Sequence, residues 1–77
     1  MDNRQRLQVL LREVLDDPSL KLTEDMGVGT HEGWDSVAMV QIVLATEAEF
    51  GLRFATNDVA NLRTVKDLLA VVARHGK

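Results

Sequence analysis

Seventy-seven residues leave room for one domain, and a chain of that size buries only about 60% of the surface its unfolded form exposes, so its core is small. There is no cysteine, which excludes disulfide and thiolate–zinc reinforcement, while the 45% hydrophobic content is that of a folded domain and not of a disordered tail. The net charge of −3 gathers in the middle of the chain, around Asp25, Glu32 and Asp35, so a basic partner surface is favoured there and a nucleic-acid backbone is not.

The start of the chain, Met1-Asp2-Asn3-Arg4-Gln5-Arg6, lacks the apolar stretch of a secretory signal. No apolar run reaches the roughly 18 residues a membrane span needs, and the expected location is cytoplasmic. From Asn3 to Asp16, Leu7, Leu10, Leu11, Val14 and Leu15 recur at i, i+3, i+4, i+7 and i+8. That stripe predicts an amphipathic helix, capped at its start by Asp2 or Asn3 and unable to run through Pro18.

Periodicity is lost from Asp17 to Asp35, where Pro18, Ser19, Gly27, Gly29, Thr30 and Gly33 mark a loop. A connection that long in so small a domain is unusual and points to a functional or disordered segment. Leu20, Leu22, Met26 and Val28 are expected to anchor it to the core, which favours order.

Ser36 to Phe50 predicts a second helix, stopped by Gly51 where a left-handed residue is wanted. Its face of Met39, Ile42, Val43, Thr46 and Phe50 serves the core, which leaves Val37, Val40, Leu44 and Ala48 as a second apolar face. Apolar character on both sides means central burial or a docking surface. Thr56 to Asn61 is long enough for one further turn, with Thr56 as its cap. The last helix is expected to open at Thr64, with Asp67 three residues on as a variant capping box. Val65, Leu68, Leu69 and Val72 supply its stripe, and Arg74, His75 and Lys77 suit its C-terminal end. The expected architecture is all-α: a single domain over residues 1–77, a small bundle of three main helices and one short one, with a long connection between the first and second.

Gly33-Trp34-Asp35-Ser36 carries the chemistry. Ser36 stands where a glycine-containing loop becomes a helix, so its hydroxyl is expected to be exposed beside unpaired helix-start amides, a setting suited to a phosphate ester. Asp35 and Glu32 offer carboxylates to a metal ion or to basic groups of a modifying enzyme. Asp-Ser before a helix also serves as a plain cap; the spare apolar face and the long loop argue for more than capping. Trp34 either shields an attached phosphate or packs under the loop.

From Gly33 onward the sequence resembles the acyl carrier protein family, whose signature is Asp-Ser-Leu at the start of the second helix. Asp35-Ser36 match, and Val37 replaces the usual leucine. The resemblance extends to the Leu-rich first helix, the long loop, Glu47-x-Glu49-Phe50 and Thr64-Val65-x-x-Leu68. It implies that Ser36 accepts a 4′-phosphopantetheine arm from coenzyme A through a separate phosphopantetheinyl transferase. The arm's thiol then carries an acyl or aminoacyl group as a thioester between a loading ligase and a downstream synthase or transferase. The chain itself would be a stand-alone, monomeric carrier and no enzyme, with no catalytic or metal-binding residue. Asp35 is expected beside the cofactor, and Trp34, Val37, Val40, Gln41, Leu44, Glu47, Ala48 and Val59 at partner surfaces. Gln41 and Ala48 stand where fatty-acid carriers are often acidic, which suggests apolar docking and specialised partners. Thr46 stands where those carriers are usually apolar. Its hydroxyl is costly to desolvate unless it bonds back to the Ile42 carbonyl, which suggests a short or polar cargo.

Other signals are weaker. Gly27-Val28-Gly29-Thr30-His31-Glu32-Gly33 has the wrong spacing for a phosphate-cradling loop. His31, Asp35 and Ser36 are too close in sequence to form a hydrolase triad. His31 with Glu32, or His75 alone, is too sparse to hold a metal, and Arg63, Lys66, Arg74 and Lys77 read as a solvated face. The alternative function is a helical interaction module without a prosthetic group. A helix-turn-helix DNA binder is disfavoured by the charge.

Overall fold

A computed structural model describes residues 2–75. Four helices follow one another: α1 (Asn3–Val14), α2 (Ser36–Phe50), α3 (Thr56–Ala60) and α4 (Val65–His75). Among the described residues no helix is long and apolar enough to cross a membrane.

Asp2 starts α1 with a reciprocal capping box: its carboxylate accepts from Gln5 N–H at 2.8 Å, and the Gln5 side chain accepts from Asp2 N–H at 3.3 Å. The helix ends two residues before the expected Asp16, and Pro18 does not end it. Asp16 adopts the left-handed conformation (φ 53°), and the two following closures, Asp16 N–H to the Glu13 carbonyl and Asp17 N–H to the Arg12 carbonyl, complete a Schellman turn. Leu7, Leu10, Leu11 and Leu15 form its buried stripe.

The bounds of α2 are those expected. Gly51, at φ 64°, is the left-handed residue that stops it. Its buried side is Ala38, Ile42, Val43 and Thr46; Met39 and Phe50 are only partly covered. Thr46 is fully buried and donates to the Ile42 carbonyl at 2.6 Å. With that donor satisfied, its presence in the core carries little desolvation cost. The expectation of a short or polar cargo drawn from an unmet hydroxyl at Thr46 therefore loses its premise.

The long connection is ordered, and it closes the start of α4. Met26 and Glu24 carbonyls accept from Val65 N–H (2.7 Å) and Lys66 N–H (3.0 Å), two of the amides that a helix start leaves unpaired. The approach is so close that a Cβ on Gly27 would lie 2.0 Å from the Arg63 carbonyl oxygen. Leu20 is buried, and Leu22 and Met26 pack against the core. Val28 is no anchor: it is 51% exposed, since Gly27 already holds the backbone against α4.

Two caps differ from expectation. α3 begins after Ala55, whose N–H donates to Asp58 Oδ2 at 3.0 Å, so Thr56 is the first helical residue and not the cap. α4 begins at Val65, one residue later than expected. Asp67 Oδ2 accepts from Arg63 N–H, Thr64 N–H and the Thr64 hydroxyl, so a single carboxylate replaces a reciprocal box. Asp58 also accepts from Arg74, which ties α3 to α4, while the Arg74 side chain stays 61% exposed, on the solvated face as expected. Lys77, assigned to that face and to the C-terminal end of α4, lies outside the described residues. Leu7, Leu11, Ile42, Val65 and Leu68 are fully buried in the core shared by α1, α2 and α4, and Val72 is fully buried in a second cluster with Leu52 and Val71.

Candidate functional site

The site lies at the junction of the connection with α2. Trp34 packs its ring into the core and is 2% exposed. Of the two roles weighed for it, packing under the loop is the one found. Its assignment to a partner surface is corrected, because a ring buried against the leucines of α1 has no face left for another protein. The indole Nε1–H has no hydrogen-bond partner among the described residues.

Asp35, held extended by that anchor, is the N-cap of α2. Its Oδ1 accepts from Ala38 N–H at 2.8 Å and its carbonyl accepts from Met39 N–H at 2.9 Å. Ser36 is the first residue of the helix and is exposed. Among the described residues its hydroxyl makes no hydrogen bond, so the cap is supplied by Asp35 alone and the Ser36 oxygen is left to solvent. The Ser36 and Val37 amides belong to the first turn, where helix geometry provides no partner. A phosphodiester on Ser36 fits here: the oxygen is reachable, and the helix start offers partial positive charge beside it.

Past Ser36, α2 presents an apolar face. Val37, Val40 and Leu44 are 67%, 59% and 61% exposed, and Gln41 and Ala48 are exposed with them. On α3, Val59 is 46% exposed. Glu47 does not stand free at this face as expected. Its Oε2 accepts from Phe54 N–H at 2.7 Å, which pins the segment after α2. Glu49 pairs with Arg6 at 2.9 Å, and that guanidinium also lies 4.4 Å over the Phe50 ring. Each of the three carboxylates on or heading α2 is thus engaged within the chain.

Sequence reasoning missed His31. Its residue type and spacing suggest neither a base nor a metal ligand, and its ring makes no hydrogen bond to the Ser36 hydroxyl among the described residues. His31 Nε2 lies 3.0 Å from Asp17 Oδ2, and Nδ1 accepts from Gly33 N–H at 3.0 Å. The Asp17 carboxyl is held below its ordinary pKa, first by the His31 hydrogen bond and then by Ser19. No local pattern links positions fourteen residues apart, so no sequence signal would have revealed this contact.

A small helical bundle with a free serine hydroxyl heading its second helix is the framework of a carrier domain. The family described as "Phosphopantetheine attachment site" matches residues 5–72, and the chain belongs to it, among the acyl carrier proteins. The cofactor of this family is 4′-phosphopantetheine, and its members carry groups and do not catalyse. The acyl carrier protein of Acidothermus cellulolyticus is 38% identical over 56 residues, which are 73% of this chain and 60% of that protein. That of Zymomonas mobilis is 28% identical over 74 residues, 96% of this chain and 95% of its own length. The solution structure of the holo acyl carrier protein from Geobacter metallireducens superimposes with a TM-score of 0.88 at 27% identity, covering 97% of this chain and 86% of the other.

Proposed function

We propose that Ser36 is the attachment residue and that the chain carries a thioester-bound group between enzymes of a specialised biosynthetic pathway. The observation that carries this reading is the Ser36 hydroxyl: exposed, unbonded among the described residues, and placed at the start of α2 while Asp35 does the capping. A phosphopantetheinyl transferase makes the bond. Ser36 Oγ attacks the phosphorus that bears the pantetheine in coenzyme A, the bond to the nucleotide half breaks, and the serine proton passes to a base on the transferase. The arm supplies the thiol that a chain without cysteine lacks.

Partner enzymes meet α2 through Val37, Val40, Leu44 and their exposed neighbours Gln41 and Ala48. With Asp35, Glu47 and Glu49 engaged internally, docking depends more on apolar contact than on charge steering, which separates these partners from enzymes that recognise an acidic second helix. The cargo is short. The core side chains between α1, α2 and α4 are fully buried, and close-packed interiors accept a long chain only by displacing them.

Incubation with coenzyme A and a promiscuous phosphopantetheinyl transferase tests the central claim. A mass gain of one arm that disappears in Ser36→Ala is expected. An unchanged mass in the native sequence favours the interaction module without a prosthetic group, and a gain that survives Ser36→Ala moves the site elsewhere.

A further inference from the structure

The attachment reading gives no role to His31, although this side chain organises the backbone that delivers Ser36. Its two ring nitrogens face chemically opposite partners. A carboxylate oxygen at Nε2 calls for a proton there, and an amide N–H at Nδ1 calls for a lone pair. One species satisfies both, the neutral imidazole protonated at Nε2. The segment is closed further by Trp34 N–H donating to the His31 carbonyl at 2.9 Å and by Gly29 N–H donating to the Trp34 carbonyl at 3.4 Å. Gly33 is confined between the His31 ring and the Leu15 carbonyl, each about an ordinary contact from where a Cβ would stand. Asp35 and Ser36 follow directly.

We propose that His31 is a positioning residue for Ser36: neutral and clasped between Asp17 and the Gly33 amide, it fixes the chain leading to the attachment serine, and proton uptake at Nδ1 opens the clasp and slows loading. The inference rests on Ser36 being the attachment residue. A proton on Nδ1 would set two donors against each other, and the ring must then turn away from Gly33. The titratable groups around it are Asp17, Asp16 and Glu32, which line the same surface depression with Leu15, Gly29, Thr30 and Gly33. All three are carboxylates.

The test compares loading of the full chain from coenzyme A in the native sequence and in His31→Asn, from about pH 8 down to about pH 5.5, the range in which histidines change charge. An asparagine oxygen can accept from the amide two residues on, so it replaces the Nδ1 contact without titrating. The ratio of kcat/KM values cancels the ionisations of the transferase and of His75. The ratio is expected to fall about fivefold toward acid, the worth of one hydrogen bond. The Gly33 amide resonance of the native chain should titrate with the ring; it decides the matter if a variant fails to fold. A flat ratio, or a Gly33 amide that is unmoved while the ring protonates, overturns the clasp while leaving Ser36 loading intact. Absence of the arm from Ser36 at every pH overturns both readings.

Discussion

Two helix starts in this molecule meet the same physical problem and resolve it in opposite ways. At α4 the first amides are closed by the protein itself: Val65 and Lys66 donate to Met26 and Glu24 carbonyls, and Asp67 gathers the amides of Arg63 and Thr64. At α2 a single carboxylate, Asp35, serves Ala38, and the hydroxyl that follows it is left to solvent. A helix start sealed by backbone carbonyls contributes to stability and can accept nothing more. One held by a single side chain keeps its partial charge available for a covalent ester. The difference lies in the connection, which spends its first half sealing α4 and its second half presenting Ser36.

The largest effect should come from breaking the sealed start. In Gly27→Val the new Cβ would stand 2.0 Å from the Arg63 carbonyl oxygen, a backbone atom that cannot swing aside. Either the connection lifts from α4 or the helix loses its first hydrogen bonds. A loss of about 3 kcal/mol is expected, at the upper end of overpacking costs and large for so small a domain, and urea denaturation measures it. A midpoint within error of the native value would show that the carbonyl closure contributes nothing.

Weakening the open start should cost less and should separate stability from function. Asp35→Ala removes the cap on Ala38 N–H and is expected to destabilise by about 1 kcal/mol. It also removes the negative charge next to Ser36, so the oxygen stays accessible and the arm can still attach. Thermal melting and mass measurement after loading, made on the same variant, check the two halves. Loss of loading in a folded Asp35→Ala chain would mean that Asp35 is recognised by the transferase and is more than a cap.

The two starts also differ in how far sequence alone discloses them. Asp35, Ser36, Phe50 and Gly51 obey local rules, so the span of α2 and the exposure of its hydroxyl follow from residue type and spacing. The spare face of Val37, Val40 and Leu44 is legible for the same reason, since helical period alone assigns it. What escapes is whatever depends on distant chain. Nothing near Thr64 signals that Met26 and Glu24 carbonyls will replace its cap, and nothing near His31 signals Asp17. Trp34 and Glu47 stand close in sequence to residues that face solvent on α2. Tertiary packing turns one into the core and the other onto Phe54 N–H. Asp16 in a left-handed turn shows a further limit: aspartate tolerates that conformation, but glycine is the residue from which it is ordinarily expected.

The smallest effect concerns the charges that join α3 to α4, and its sign follows from the carboxyl of Asp58. Arg74 first, and the Ala55 amide second, hold that carboxyl below its ordinary pKa, with His75 Nε2 3.7 Å away as a lesser partner. A group with its folded pKa depressed binds protons less readily in the folded chain than in the unfolded one, so its contribution is present above the ordinary carboxylate value, about 3.9. That contribution is lost as pH falls through the folded pKa. Asp58→Asn removes the charge and keeps the shape. It should therefore be less stable than the native chain at neutral pH, by a small margin because the ion pair is at the surface. The margin should close as acid protonates the native carboxyl. Urea midpoints of both chains at neutral pH and in acid well below the ordinary carboxylate value measure the convergence. A gap that stayed constant across that range would show that Asp58 joins the two helices through hydrogen-bond geometry alone, and that its charge is irrelevant to the fold.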